Sequence, residues 1–163
     1  MSMSKVLIVL FLIIFIPLIG IAQNNPGEIT IDQQQAIEKA IIDVHAKMQQ
    51  VAQQGKVDSL YNYVLDIANG VIIEDGKLRR TRQEALEATR QGMQQLKDLS
   101  YSYNQKYITM ISPTAALWVG EGMSSATLKD GRQISVPFAE TIVFVMAAGQ
   151  WKVLHAHRSI PNR

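Results

Sequence analysis

From residue 33 onward, apolar side chains recur every three or four positions: Ile37, Ile41, Val44, Met48 and Val51. That spacing predicts an amphipathic helix, capped by Thr30 or Asp32 and starting near Gln33, with Gly55 as its left-handed stop. Asp58 or Ser59 opens a second, short helix from Leu60 to about Ile67. Asn69-Gly70 breaks the pattern. The β-branched run Val71-Ile72-Ile73, the turn signal Glu74-Asp75-Gly76-Lys77 and a return from Leu78 to Thr81 predict a hairpin. Arg82 to Lys97 is again helical, with Ala85, Leu86, Met93 and Leu96 on one face.

After Leu99 the texture changes to strand formers: Tyr101, Tyr103, Tyr107, Ile108 and Ile111. Ser112-Pro113-Thr114 turns into a second strand, Ala115 to Leu128, which carries Trp118. Lys129-Asp130-Gly131-Arg132 turns into a third, Gln133 to Ala147, where Pro137 predicts a bulge or an exposed edge. Ala148-Gly149-Gln150 turns into a last strand, Trp151 to Ser159. Helices first and antiparallel strands after is an α+β order. A strongly curved meander with helices on its concave side would enclose a cavity.

The first residues follow a different pattern. Lys5, the apolar stretch from Val6 to Ile16 and the small residues Gly20 and Ala22 have the three parts of a secretory signal peptide. The expected organisation is a signal peptide over 1–22, a disordered lead over 23–31 and one domain over 32–163, exported to the periplasm or secreted. The run from Val6 to Ala22 falls short of the ~20 residues that span a bilayer, so no membrane partner is expected after cleavage. The chain has 163 residues and no Cys. A disulfide framework, a Cys zinc site, a thiol nucleophile and a lipid-modified N-terminus are therefore excluded. With 16 Lys and Arg against 14 Asp and Glu, nothing points to nucleic acid. A hydrophobic fraction of 47% excludes a disordered chain. No Gly-rich phosphate loop, serine nucleophile elbow or zinc-protease helix is present, and no cofactor is expected.

The end of the chain carries a resemblance. Gly149-Gln150-Trp151-Lys152-Val153-Leu154-His155-Ala156-His157-Arg158-Ser159 resembles the terminal strand of nuclear transport factor 2-like domains, the superfamily shared by SnoaL-like cyclases and ketosteroid isomerases. It is most similar to the association domain of calcium/calmodulin-dependent protein kinase II, with its Gly-x-Trp and His-x-His-Arg-Ser pattern. The junction Gln54-Gly55-Lys56-Val57-Asp58-Ser59-Leu60 is similar to the family's Gly-Asp-x-x-x-Leu helix stop. The resemblance covers about Gln33 to Ser159. It implies a cone-shaped α+β fold, a curved antiparallel sheet around a long N-terminal helix with a pocket inside, usually dimeric through the sheet. It does not imply one function, because this fold carries enzymes, binding modules and assembly domains.

Alternation along the last strand puts Trp151, Val153, His155, His157 and Ser159 on one face, and Lys152, Leu154, Ala156 and Arg158 on the other. In the kinase association domain the Arg of this motif lies in the pocket, which carried over turns Arg158 inward. A buried guanidinium needs a partner. Glu140 supplies one, on the same face of its strand as Phe138, Ile142 and Phe144. The leading reading is a binding domain for a small apolar molecule with an acidic group. Arg158 anchors the acid, Glu140 orients Arg158, and Trp118, Tyr103, Phe138 and Phe144 shape the cavity. The kinase domain's second pocket Arg has no counterpart here, since Ile142 stands at that position.

Two further readings stay open. A SnoaL-like or isomerase-like enzyme would abstract a proton next to a carbonyl, with Glu74, Asp75 or His45 as base and Tyr61, Tyr63 or Tyr103 as donor. An oligomerisation domain would have a vestigial cavity and a structural Arg158–Glu140 pair. His155 and His157 share a face but are two ligands without a third; dimer-interface or structural roles suit them better, and no metal is expected. Arg79, Arg80 and Arg82 read as a solvated turn. The expected partners are a small-molecule ligand and a second copy of the chain.

Overall fold

The computed structural model describes residues 29–67, 71–74 and 76–161. The proposed signal peptide and Asp75 lie outside them. Helix α1 (Ile31–Gln53) begins under a capping box: Gln33 N donates to Thr30 Oγ1 at 3.2 Å, and Thr30 N donates to Gln33 Oε1 at 3.0 Å. It therefore starts two residues ahead of the expected Gln33. Its stripe buries Ile41 and His45, and Gly55 follows it at φ 68°.

Helix α2 (Val57–Tyr61) is shorter and earlier than the expected Leu60–Ile67. The reason is tertiary. Val153 N donates to Tyr63 O at 2.8 Å and Leu65 N donates to Val153 O at 2.9 Å, so the segment after Tyr61 joins a strand instead of continuing the helix. Strands β1 (Val71–Glu74) and β2 (Lys77–Arg79) form the expected hairpin, with Gly76 at φ 73°. Helix α3 (Arg82–Met93), capped by Thr81, ends before the expected Lys97. Leu96 instead pairs with Leu128 and opens strand β3 (Leu96–Ser112). Strands β4 (Ala115–Leu128), β5 (Gln133–Ala147) and β6 (Gln150–Ser159) follow through tight turns.

The sheet order is β2-β1-β6-β5-β4-β3, antiparallel except for the parallel β1–β6 pair. The chain leaves the β1–β2 hairpin through α3, reaches the far edge at β3 and winds back until β6 docks beside β1. Pro137 costs the sheet nothing. β6 reaches only as far as Ala139, paired with Ser159, so Pro137 sits where β5 is locally an edge and no bulge occurs there.

Curvature comes from irregularities on the inner face. β3 shifts register between Tyr103 and Gln105, opposite Gly122. A Cβ at Gly122 would lie 1.9 Å from the Ser102 carbonyl oxygen, so the two strands can approach this closely only at glycine. Helix α1 lies in the resulting concavity. Ile41 packs there against Trp118, Phe144 and Val153, all but inaccessible to water. A second cluster, Val57, Tyr61, Ala85 and Leu86, joins α2 to α3.

Gly122→Ala forces the β3–β4 backbones apart. It is expected to lower stability by about 1–3 kcal/mol, the usual cost of overpacking, read from the urea midpoint. An unchanged midpoint would show that the bulge does not need glycine.

Candidate functional site

Glu140 alternates inward on β5 with Phe138, Ile142 and Phe144, and its side chain is 4% exposed. A carboxylate so far from water needs donors on both oxygens. Oε2 accepts from Arg158 Nη2 at 2.8 Å and from Arg158 Nε at 3.3 Å. Oε1 accepts from the Tyr103 hydroxyl at 2.5 Å and lies 3.2 Å from His45 Nε2. An ionised carboxylate only accepts, so the His45 proton sits on Nε2. Tyr103 OH is also 3.1 Å from that nitrogen. Burial alone would raise the Glu140 pKa. The His45 hydrogen bond, the Arg158 charge and the Tyr103 bond outweigh it and hold the group at about 2, against an ordinary 4.5.

Each donor comes from a different element. His45 is on α1, stacked on Trp118 at 3.9 Å between ring centroids. Tyr103 stands on β3, and Gly120 leaves room for its ring: a Cβ there would lie 3.0 Å from Tyr103. Burial raises the Tyr103 pKa, and the Glu140 charge raises it further, so the hydroxyl stays protonated as a donor. Arg158 is on β6, across the ladder from Glu140. Its Nη1 donates to Tyr101 OH at 3.2 Å, and its guanidinium lies against the Tyr101 and Phe138 rings, 4.9 and 5.2 Å from their centroids. Burial works against the Arg158 charge; Tyr101 and Glu140 more than restore it.

Arg158 reaches this position through a bulge that simple alternation does not foresee. Val143 pairs with His155 and Phe144 with Val153, so Leu154 is an extra residue in β6. The faces given by strict alternation are thereby corrected. Trp151 and Val153 are buried on the inner side before the bulge, and Arg158 faces inward after it.

Beside this cluster lies a cavity of about 160 Å³ between α1, α2, α3 and the sheet. Its wall is mostly apolar, with Met48, Ala52, Leu60, Val64, Met93 and Leu99, and the polar groups of His45, Tyr101, Tyr103, Glu140 and Arg158 converge on it. Of the expected cavity-shaping aromatics, only Tyr103 lines it. Trp118 backs His45, Phe138 backs Arg158 and Phe144 is packed in the core. Trp118 and Phe144 share the cluster that packs Ile41 of α1. Ile142, at the position of the missing second Arg, lines the cavity too. Glu74 also lines it, while Asp75 lies outside the described residues. Tyr101 is the participant that the sequence reading passed over. Its alternation with Tyr103, two residues on, was the available signal.

The remaining polar candidates stand outside the cluster around Glu140. No group of three or more metal-ligating side chains occurs among the described residues. Tyr61 lines the cavity but does not join the His45 cluster; its hydroxyl is 2.7 Å from Thr89 Oγ1. The Arg79–Arg82 turn is less solvated than expected, since Arg82 Nε donates to Tyr61 O at 2.8 Å and Arg79 Nε is buried.

Because the folded Glu140 pKa lies below its ordinary value, its contribution is complete above pH 4.5 and is lost as pH falls toward 2. The unaltered protein should lose on the order of 3 kcal/mol more stability over that window than Glu140→Gln does. Parallel loss in the two proteins, followed by urea unfolding against pH, would contradict the ionised, fully bonded carboxylate.

The model of the SnoaL-like domain matches residues 41–163. No curated protein matches the sequence. Similar solved structures include a candidate calcium/calmodulin-dependent protein kinase II association domain from Xanthomonas campestris, 14% identical, TM-score 0.67, covering 76% of this chain and 86% of that one. A candidate scytalone dehydratase from Novosphingobium aromaticivorans is 12% identical, TM-score 0.74, with 82% and 89% covered. A hexachlorocyclohexane dehydrochlorinase of type 2 is 13% identical, TM-score 0.69, with 82% and 90% covered. At these identities the structures share a fold with this chain and nothing finer. The chain belongs to the SnoaL-like domain family, within the nuclear transport factor 2-like superfamily.

Proposed function

We propose that this is an exported binding domain whose cavity takes a small, mostly apolar molecule with an acidic group, held by Arg158. The observation that carries the reading is the state of Arg158. It lines the cavity, its side chain is 27% exposed, and Glu140 and Tyr101 use only three of its five N–H groups. The two remaining N–H groups, on Nη1 and Nη2, suit a carboxylate. Size narrows the class. A cavity of about 160 Å³ is close to the ~150 Å³ that accommodates benzene in an engineered protein, so the ligand has one ring or a short branched chain.

A homodimer through the outer face of the sheet completes this reading. Tyr107 and Val119 are cross-strand partners there, 62% and 38% exposed, with exposed His157 two strands away in the same row across Thr141. Val119→Glu should halve the mass seen by analytical ultracentrifugation. A monomer in the unaltered protein would end the dimer proposal.

One observation favours a catalytic reading, proton abstraction next to a carbonyl. His45 borders the cavity with its Nε2–H held by the Glu140 carboxylate. Two of the similar structures bear the names of a dehydratase and a dehydrochlorinase. Glu140 itself, with its pKa at about 2, is a poor base.

Native mass spectrometry of the protein exposed to a cell extract tests the binding proposal. A retained acid of single-ring size is expected, lost in Arg158→Ala and in Ala52→Phe, which fills the cavity without touching the ion pair. Removing Arg158 strands a buried carboxylate and should cost about 3–5 kcal/mol, so the Ala52 variant separates lost binding from lost folding. An empty protein, or retention unaffected by either substitution, would overturn the reading. Conversion of the retained compound, stopped by His45→Gln, would establish the catalytic one.

A further inference from the structure

Glu74 ends β1 as the in-register partner of Arg158 across the parallel β1–β6 pair. Partners in a parallel ladder project from the same face of the sheet. Ile72, two residues earlier, packs into the cluster under α2 and α3, which puts Glu74 on the inner face as well. Glu74 is half-buried and lines the cavity. Its side chain has no ion pair or hydrogen bond among the described residues. Arg158 beside it gives Nε and Nη2 to Glu140 and Nη1 to Tyr101, which leaves one N–H on each Nη and none directed to Glu74.

Tyr61 lines the same cavity as Glu74 and Arg158. Burial pushes its pKa up and the Thr89 bond lowers it; Glu74 then raises it, and Arg79 and Arg158 lower it. Around the cavity, Glu140 and Arg158 are paired with each other, whereas Glu74 has no ion pair among the described residues even though Lys77 and Arg79 stand across the β1–β2 pair from Glu74 and Ile72. Such a group seeks a cation or a strong donor. A ligand with only an acid would bring a second negative charge next to it. An ammonium on the same ligand would satisfy it instead.

We propose that the ligand is zwitterionic: a single-ring amino acid-like molecule with its carboxylate on Arg158, its ammonium on Glu74 and its ring against Met48, Leu60 and Met93. Glu74 is then a specificity residue. This rests on the acid-binding reading above and adds the amine. The ladder places the two charged residues on adjacent strands, about 5 Å apart in the hydrogen-bonding direction. That matches the close spacing of the two charges in an α-amino acid.

Calorimetric titration of the protein at neutral pH with benzoate, benzylamine and 2-phenylglycine separates the possibilities. 2-Phenylglycine should bind at least about tenfold more tightly than benzoate, the scale of one charge-assisted hydrogen bond. Glu74→Gln should abolish that preference and leave benzoate binding in place. Benzoate binding as tightly as 2-phenylglycine in the unaltered protein would overturn the role of Glu74 and leave the acid-binding reading standing. The same preference in Glu74→Gln would also overturn it. If neither benzoate nor 2-phenylglycine binds, the acid-binding reading fails and this inference fails with it. The comparison of probes in the unaltered protein needs no substitution, so it decides even if the variant is unstable.

Discussion

A carboxylate inside an apolar fold has to be met on both oxygens, and Glu140 is met by three side chains from three elements. His45 brings α1 to it, Tyr103 brings β3 and Arg158 brings β6. The ion pair adds little net stability over an apolar pair of the same shape, because desolvating two charges is costly. Its effect is on position. With Glu140 ionised, the His45 tautomer, the Tyr103 hydroxyl and the Arg158 guanidinium each have one orientation. The helix is therefore registered against the sheet by directional bonds as well as by the packing of Ile41 on Trp118 and Phe144.

The cavity depends on the same arrangement. Glycines at 120 and 122 let β3 and β4 bend around Tyr103, and the extra residue at Leu154 turns the end of β6 inward. Without the bulge, Arg158 would leave the sheet on the face opposite Trp151 and Val153, away from the cavity. With it, the inner face changes along β6 from the apolar Trp151 and Val153 to Ala156 and Arg158. The space beyond α1 is left lined by methionines and short aliphatic side chains, closed at one wall by charged and hydroxyl groups. Such a site suits recognition of one polar end on an otherwise apolar molecule.

Much of this was legible before any coordinates. The tight turns and the alternation Phe138, Glu140, Ile142, Phe144 suffice for β5 and its inward carboxylate, because a strand without irregularity keeps its period of two. The terminal motif led to the family and to Arg158. What escaped depends on contacts distant in sequence. α2 stops at Tyr61 because Tyr63 and Leu65 bond to Val153, some ninety positions away. Leu96 fits a helical face as well as a strand, and Leu128 decides between them. The bulge at Leu154 has no glycine or proline to announce it. For the same reason Trp118, Phe138 and Phe144 could be assigned to the interior but not to core or cavity: α1 decides it for Trp118 and Phe144, and Tyr101, Tyr103 and Arg158 decide it for Phe138.

The central claim is that an ionised Glu140 holds Arg158 at the cavity wall with part of its guanidinium free for an acid. Nitrogen-15 NMR of the Arg158 guanidinium during a benzoate titration addresses it directly, with the Glu140 carboxyl carbon followed in the same sample. The account predicts a saturable shift of the Arg158 Nη signals while Glu140 keeps the chemical shift of an ionised carboxylate. Arg158 signals that stay fixed at saturating benzoate, or a Glu140 carbon that reports a protonated carboxyl at neutral pH, would contradict it.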